Sequence, residues 1–152
     1  MKTAVDLMTR EVTSVHEDDS VRDVGQRFLE SGHHGLPVLD ASGRVTGMVT
    51  ERDLIDAHRQ VHLPTVIALL DSIIPVSGLH EYQEELRKAT AVTAGQLASH
   101  DLVLASPEDS LDAVADKMFQ HGFHVLPVAD GAGRLVGIIS RSDILRELVR
   151  TT

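Results

Sequence analysis

Two hydrophobic periods run along this chain, and the pair of them occurs twice. Val21, Val24, Phe28 and Leu29 form a helical stripe between Ser20 and Gly32. Leu111, Val114, Ala115, Met118 and Phe119 form its twin between Ser110 and Gly122. A serine can cap the first turn of a helix, and a glycine can close the last turn in a left-handed conformation, so each stripe predicts one bounded amphipathic helix. A short β-like run precedes each helix, Val12 to Val15 and Leu102 to Ala105. Apolar strands follow it, Leu36 to Leu39 and Val125 to Ala129. The turn-rich stretches Asp40 to Gly43 and Asp130 to Gly133 then lead into strands Arg44 to Thr50 and Arg134 to Ser140. Apolar runs on either side of Gly, Asp and Ser predict hairpins. A second helix starts near Glu51 and near Arg141. Each unit reads β-α-β-β-α behind a short lead, Val5 to Met8 or Gly95 to Ala98.

The two units align without a gap at an offset of 90 positions. Gly32 to Asp40 returns as Gly122 to Asp130, and Gly43 to Asp53 as Gly133 to Asp143. Such an echo implies two copies of one structural unit packed about a pseudo-twofold axis, with a crevice on either side of it. The expected organisation is a first repeat over 1–60, a helical inter-repeat segment over 61–90 and a second repeat over 91–152, together one module. Within the segment, Val66 to Ile74 reads as an apolar helix broken at Pro75 to Gly78. His80 to Lys88 reads as a charged helix whose acidic start and basic end match the helix dipole. The segment is too apolar for a flexible linker. It is expected to pack on the pair or at a subunit interface.

Composition narrows the function classes. Apolar residues make up 42% of the 152, which argues against disorder, and aromatics only 3%, so the core must be built of Val, Leu, Ile and Ala. Without cysteine there is no disulfide, thiol nucleophile or thiolate metal site, which fits a reducing compartment. No charged-then-apolar leader opens the chain, and no apolar stretch is long enough to cross a bilayer, so a cytoplasmic protein without membrane contact is expected. A net charge of −9 argues against nucleic acid, whose affinity rests on phosphate neutralisation. Any phosphorylated ligand would need local positive charge.

The sharpest chemical pattern is Gly-h-h-Thr/Ser-x-x-Asp, with h apolar, present as Gly47 to Asp53 and as Gly137 to Asp143. It describes a strand feeding a helix N-terminus, where free N–H groups favour an anion. Thr50 or Ser140 could donate to a sugar or phosphate oxygen. Asp53 or Asp143 could accept two hydrogen bonds from a vicinal diol. The same spacing is also a capping box, and by itself that is the commoner meaning. A second pattern, His33 to Val38 and Phe123 to Val128, puts Pro37 and Pro127 in the strands, each leaving one position without a donor. It can expose backbone groups to a flat heterocycle, or simply start a buried strand. His58 and His62 share a metal-ligand spacing, but no third ligand is recognisable.

These duplicated motifs, in this order, resemble a tandem pair of cystathionine-β-synthase (CBS) domains, a Bateman module, over essentially the whole chain. His62 to Thr65 and Glu84 to Leu86 further resemble small stand-alone bacterial members. The resemblance implies an α+β fold of two pseudo-symmetric repeats packed sheet to sheet, helices outside. It implies a non-catalytic, energy-sensing regulatory module that binds AMP, ADP, ATP, NAD or S-adenosylmethionine between the repeats and requires no other cofactor. It also implies a homodimer acting on an unknown effector protein. Two crossed sites follow. In the first, Asp53 would hold ribose and Thr50 the sugar-phosphate side, with Val103, Phe123, Val125 and Pro127 as the adenine wall and His124 facing phosphate. In the second, Asp143 and Ser140 take those roles, with Thr13, His33, His34, Gly35 and Pro37 across the cleft. Many family members carry Arg just before the leucine-proline step, where this chain has Gly35 and Val125. Phosphate charge would then rest on Arg52, Arg141 and the histidines. Glu51, standing where the second repeat has Arg141, disfavours polyphosphate at the first site, so the Asp143 site is expected to be the better one. A dimerisation module without ligand is the alternative, and retention of both aspartates argues against it.

Overall fold

The computed structural model describes residues 1–59 and 92–152. The expected inter-repeat helices at 66–74 and 80–88 lie outside the described residues. In the first half, α1 (Ala4–Leu7), β1 (Val15–His16), α2 (Val21–Ser31), β2 (Gly35–Leu39) and β3 (Val45–Thr50) are followed by a helix over 51–59, α3. In the second, α4 (Ala94–Leu97), α5 (Leu111–His121), β4 (Val125–Ala129), β5 (Leu135–Ser140) and α6 (Arg141–Thr151) repeat the order, with an isolated bridge at Ala105 in place of β1. The architecture is α+β, as expected.

Local chemistry sets these boundaries identically in both copies. Ser20 Oγ accepts from the Asp23 amide at 3.2 Å, and Ser110 Oγ from the Ala113 amide at 3.2 Å. Gly32 and Gly122 close the helices at φ 66° and 67°, a region an L side chain enters only with strain. Asp40 and Asp130 each hold their hairpin turn through backbone amides, Ser42 and Arg44 in one, Ala132 and Arg134 in the other. The Ser42 hydroxyl foremost holds Asp40 below the usual carboxylate range, and the Arg134 amide foremost does so for Asp130.

Strand β1 pairs parallel with β2, and β2 antiparallel with β3; β4 and β5 form the matching hairpin. Both hairpins slip register at twin places, Val38/Leu39 and Val128/Ala129. The runs expected as strands before the first helices are shorter than the pattern implied. Only Val15–His16 pairs in the first repeat, and only Ala105 in the second, through a single parallel bridge to Val128. Upstream, the carbonyls of Ser14 and Leu104 are held by the side chains of Arg27 and Lys117, and Pro107 offers no donor beyond.

Each lead packs on the other repeat. Ala4 and Val5 donate to Asp109 and Pro107, while Ala94 and Gly95 donate to Asp19 and Glu17. Thr9 bridges Ile138 on β5, and Ser99 bridges Met48 on β3. Accordingly Ala4, Leu7 and Met8 join the core of Val114, Met118, Leu126, Val128 and Ile139. Ala94, Leu97 and Ala98 join that of Val15, Val24, Phe28, Leu36, Val38 and Val49. The hairpin turns also meet, Arg44 bridging Arg134, with Val45 donating to Gly133 and Leu135 to Gly43.

One expectation about the helical stripes is corrected. Leu29 and Phe119 are 84% and 87% exposed, whereas Val24, Phe28, Val114 and Met118 are buried. At about 100° per residue, positions 29 and 119 lie some 140° around the helix from 24 and 114, off the buried face.

Candidate functional site

At the ends of β2, β3 and β4, where the repeats meet, lies a cavity of about 280 Å³. Its lining is mostly apolar. From the first repeat come His34, Gly35, Met48, Thr50 and Asp53; from the second, Val103, Phe123, His124, Val125 and Pro127, with Ser99 and Asp101 on the crossed lead. Of the residues assigned to the first site, Thr50, Asp53, Val103, Phe123, His124, Val125 and Pro127 are thus brought together. Arg52 does not line the cavity; its guanidinium points to Asp56 at 3.7 Å. His34 and Gly35, assigned across from Asp143, line this cavity instead, because the starts of β2 and β4 face each other at the junction. Thr13 lines a separate outer concavity with Asp19, Asp23, Gln26, Arg27, Glu30 and Ser31. Four of the described lining residues were not assigned from sequence: Met48 and Gly122, which lie inside the duplicated motifs, and Ser99 and Asp101, whose only signal was proximity to Val103, four and two positions upstream of it.

The Thr50–Asp53 and Ser140–Asp143 pairs are capping boxes. Thr50 donates through its amide at 2.8 Å and its hydroxyl at 3.0 Å, both to Asp53 Oδ2. Ser140 does the same to Asp143 Oδ2, at 2.8 Å each. The two aspartates differ in the other oxygen. Asp143 Oδ1 accepts from Arg146 Nη1 at 3.2 Å, whereas among the described residues Asp53 Oδ1 accepts no hydrogen bond. The cap therefore leaves Asp53 one oxygen for a ligand. Arg141 donates through Nε to the Phe123 carbonyl at 3.1 Å, and its amide to that of His124 at 3.0 Å. The Phe123 ring stacks on His121 with centroids 5.7 Å apart, which fixes the aromatic wall.

The crossed lead is fastened beside the cavity by His100. Its Nδ1 lies 3.0 Å from the Thr46 carbonyl and its Nε2 2.9 Å from that of Gly95. A neutral imidazole carries one N–H and can satisfy one carbonyl; the imidazolium satisfies both. The Thr46 carbonyl first, Gly95 second, raise the His100 pKa from 6.5, with Glu17 adding and burial opposing. A raised folded-state value contributes stability that is complete below about 6.5, the unfolded value, and is lost as pH rises through the folded one. His100→Gln is therefore expected to lower the unfolding midpoint at pH 5.5 and much less at pH 8.5. Equal losses at both, by denaturant titration, would contradict the charged clamp.

Among the described residues no group of three or more His, Asp or Glu is arranged to hold a metal, and no helix is long and apolar enough to cross a membrane.

Known proteins decide what this duplicated unit is. The CBS domain family matches twice, over residues 4–59 and 94–150. The chain belongs to the CBS domain family. As a CBS pair it is 26% identical over 151 residues to an uncharacterised protein of Methanocaldococcus jannaschii, covering 95% of this chain and 89% of that one. Other relatives are longer: it is 28% identical over 147 residues to a homoserine O-acetyltransferase of Methanohalophilus mahii, covering 97% of this chain but 24% of that protein. The crystal structure of CBSX2 in complex with AMP is similar at a TM-score of 0.76 and 24% identity, over 99% of this chain and 98% of that one. The CBS domain pair of MJ0100, in complex with 5′-methylthioadenosine and S-adenosyl-L-methionine, gives 0.74 at 19%, over 100% and 99%.

Proposed function

We propose that this CBS pair is a non-catalytic regulatory module that binds an adenosine-containing ligand in the cavity at Asp53 and signals through the packing of its repeats. The observation that carries the reading is the cavity itself. An apolar wall from one repeat faces a carboxylate oxygen left without a partner, among the described residues, on the other. A purine suits the wall of Val103, Phe123, Val125 and Pro127, and a vicinal diol suits the carboxylate. The AMP, 5′-methylthioadenosine and S-adenosylmethionine held by the similar structures support the ligand class. A ligand touching both repeats favours the arrangement that closes on it, and the resulting signal is limited by its differential affinity for the two arrangements.

A second reading, an interaction module without a ligand, draws on the outward-facing Leu29 and Phe119 at twin positions. Thermal unfolding separates the two. Adenosine, AMP, ADP, ATP, NAD and S-adenosylmethionine are each added in excess. At one hundred times Kd, a ligand specific to the folded state adds about 2.7 kcal/mol, which is roughly 5–10 °C in a domain of this size. At least one member of the series is expected to raise Tm; no rise with any of them leaves the interaction module as the reading.

A further inference from the structure

Resting on that reading, we propose that the Asp53 cleft selects adenosine derivatives that lack a phosphate chain, uncharged or cationic, over nucleotides. The charge around the cavity carries this. Among the described lining residues there is no Lys or Arg, while Asp53 and Asp101 are both present. Glu51 Oε2 lies 3.6 Å from Nδ1 of the lining His34, so any positive charge on that imidazole is shared with a carboxylate.

Among the described residues, the two arginines nearest the motif stand outside the lining. Arg52 is 89% exposed and turned to Asp56. Arg141 donates through Nε to the Phe123 carbonyl and is not itself a lining residue. About 280 Å³ is near the lower limit of small-molecule sites, roughly 300–1,000 Å³, and accommodates a nucleoside. The chain's net charge of −9 adds a long-range field of the same sign. Glu51 and Asp101 are the specificity-determining residues. Glu51 stands where the second repeat carries Arg141, so the residue beside His34 is a carboxylate.

The test is calorimetric titration of the full chain at pH 8 and low salt with adenosine, 5′-methylthioadenosine, S-adenosylmethionine, AMP and ATP. The three ligands without phosphate are expected to bind at least tenfold tighter than ATP, with AMP between. Added salt is expected to narrow the gap by screening the repulsion. Glu51→Arg, read as the ratio of ATP to adenosine affinity, is expected to shift that ratio at least fivefold toward ATP, and Asp101→Asn to shift it the same way. ATP binding as tightly as adenosine, or a ratio unmoved by both substitutions, overturns the selectivity and leaves the proposed function standing. Absence of binding by every member overturns both.

Discussion

Gly47→Ala is expected to unseat the crossed lead and lower Tm by roughly 10 °C. A Cβ at Gly47 would stand 2.8 Å from the Ser99 carbonyl oxygen and 2.9 Å from Ala98 Cβ. Neither is the free end of a flexible side chain, so the backbone of the lead has to move. That movement breaks the paired bonds between Met48 and Ser99, now 3.1 and 2.9 Å, and loosens Ala98 from the first core. Overpacking costs about 1–3 kcal/mol and each lost hydrogen bond about 1, so a total near 3 kcal/mol is expected, at roughly 2–4 °C of Tm per kcal/mol. Gly137→Ala tests the twin contact, where the obstacle is the Met8 side chain, its Cγ at 2.7 Å; a side chain that can swing away makes this the milder change. Gly25→Ala is the control. Nothing lies within 4 Å of its Cβ position inside α2, and it is expected to stabilise by about 0.5–1 kcal/mol. Equal behaviour of all three would contradict the crossed packing.

Asp53→Ala is expected to weaken ligand binding by roughly 30- to 150-fold, about 2–3 kcal/mol, the loss of hydrogen bonds to a charged acceptor. Part of its effect is structural, because the same carboxylate caps α3 through Thr50, and losing a cap costs about 1 kcal/mol. Asp143→Ala separates the two roles. It removes the equivalent cap on α6 and the Arg146 contact, so it is expected to lower stability by a similar amount with little effect on affinity. Equal affinity losses in the two variants, measured at a temperature where both are folded, would move the ligand out of the Asp53 cleft.

The repeat, its caps and its hairpins were legible because each depends on residues close in sequence: Ser20 with Asp23, Gly32 with Phe28, Asp40 with Arg44. The capping meaning of Thr50–Asp53 was legible for the same reason. What stayed hidden is non-local. No periodicity reveals that Ala4 is buried among residues beyond position 104, or that Ala94 completes the first core. The crossing of the leads brings Ser99 and Asp101 to the cavity, and the facing strand starts put His34 and Gly35 there as well. The surroundings of Arg141 were hidden too. From sequence, Arg141 favours the Asp143 side; in the fold, Arg141 is turned to the Phe123 carbonyl and Arg146 occupies the second oxygen of Asp143. The shortened strand at Leu102 to Ala105 was hidden for the same reason, since the Leu104 carbonyl is taken by the side chain of Lys117, thirteen positions on.

The placement of an adenosine ligand between the repeats, on the wall opposite Asp53, is read out by isotope-filtered nuclear Overhauser spectra of the labelled protein saturated with unlabelled adenosine. Contacts are expected from the purine protons to the Val103 and Val125 methyl groups and to the Phe123 ring. Contacts instead to Thr13 and Ile138, on the twin side of the axis, or the absence of contacts at saturation to any of Val103, Phe123 and Val125, would contradict it.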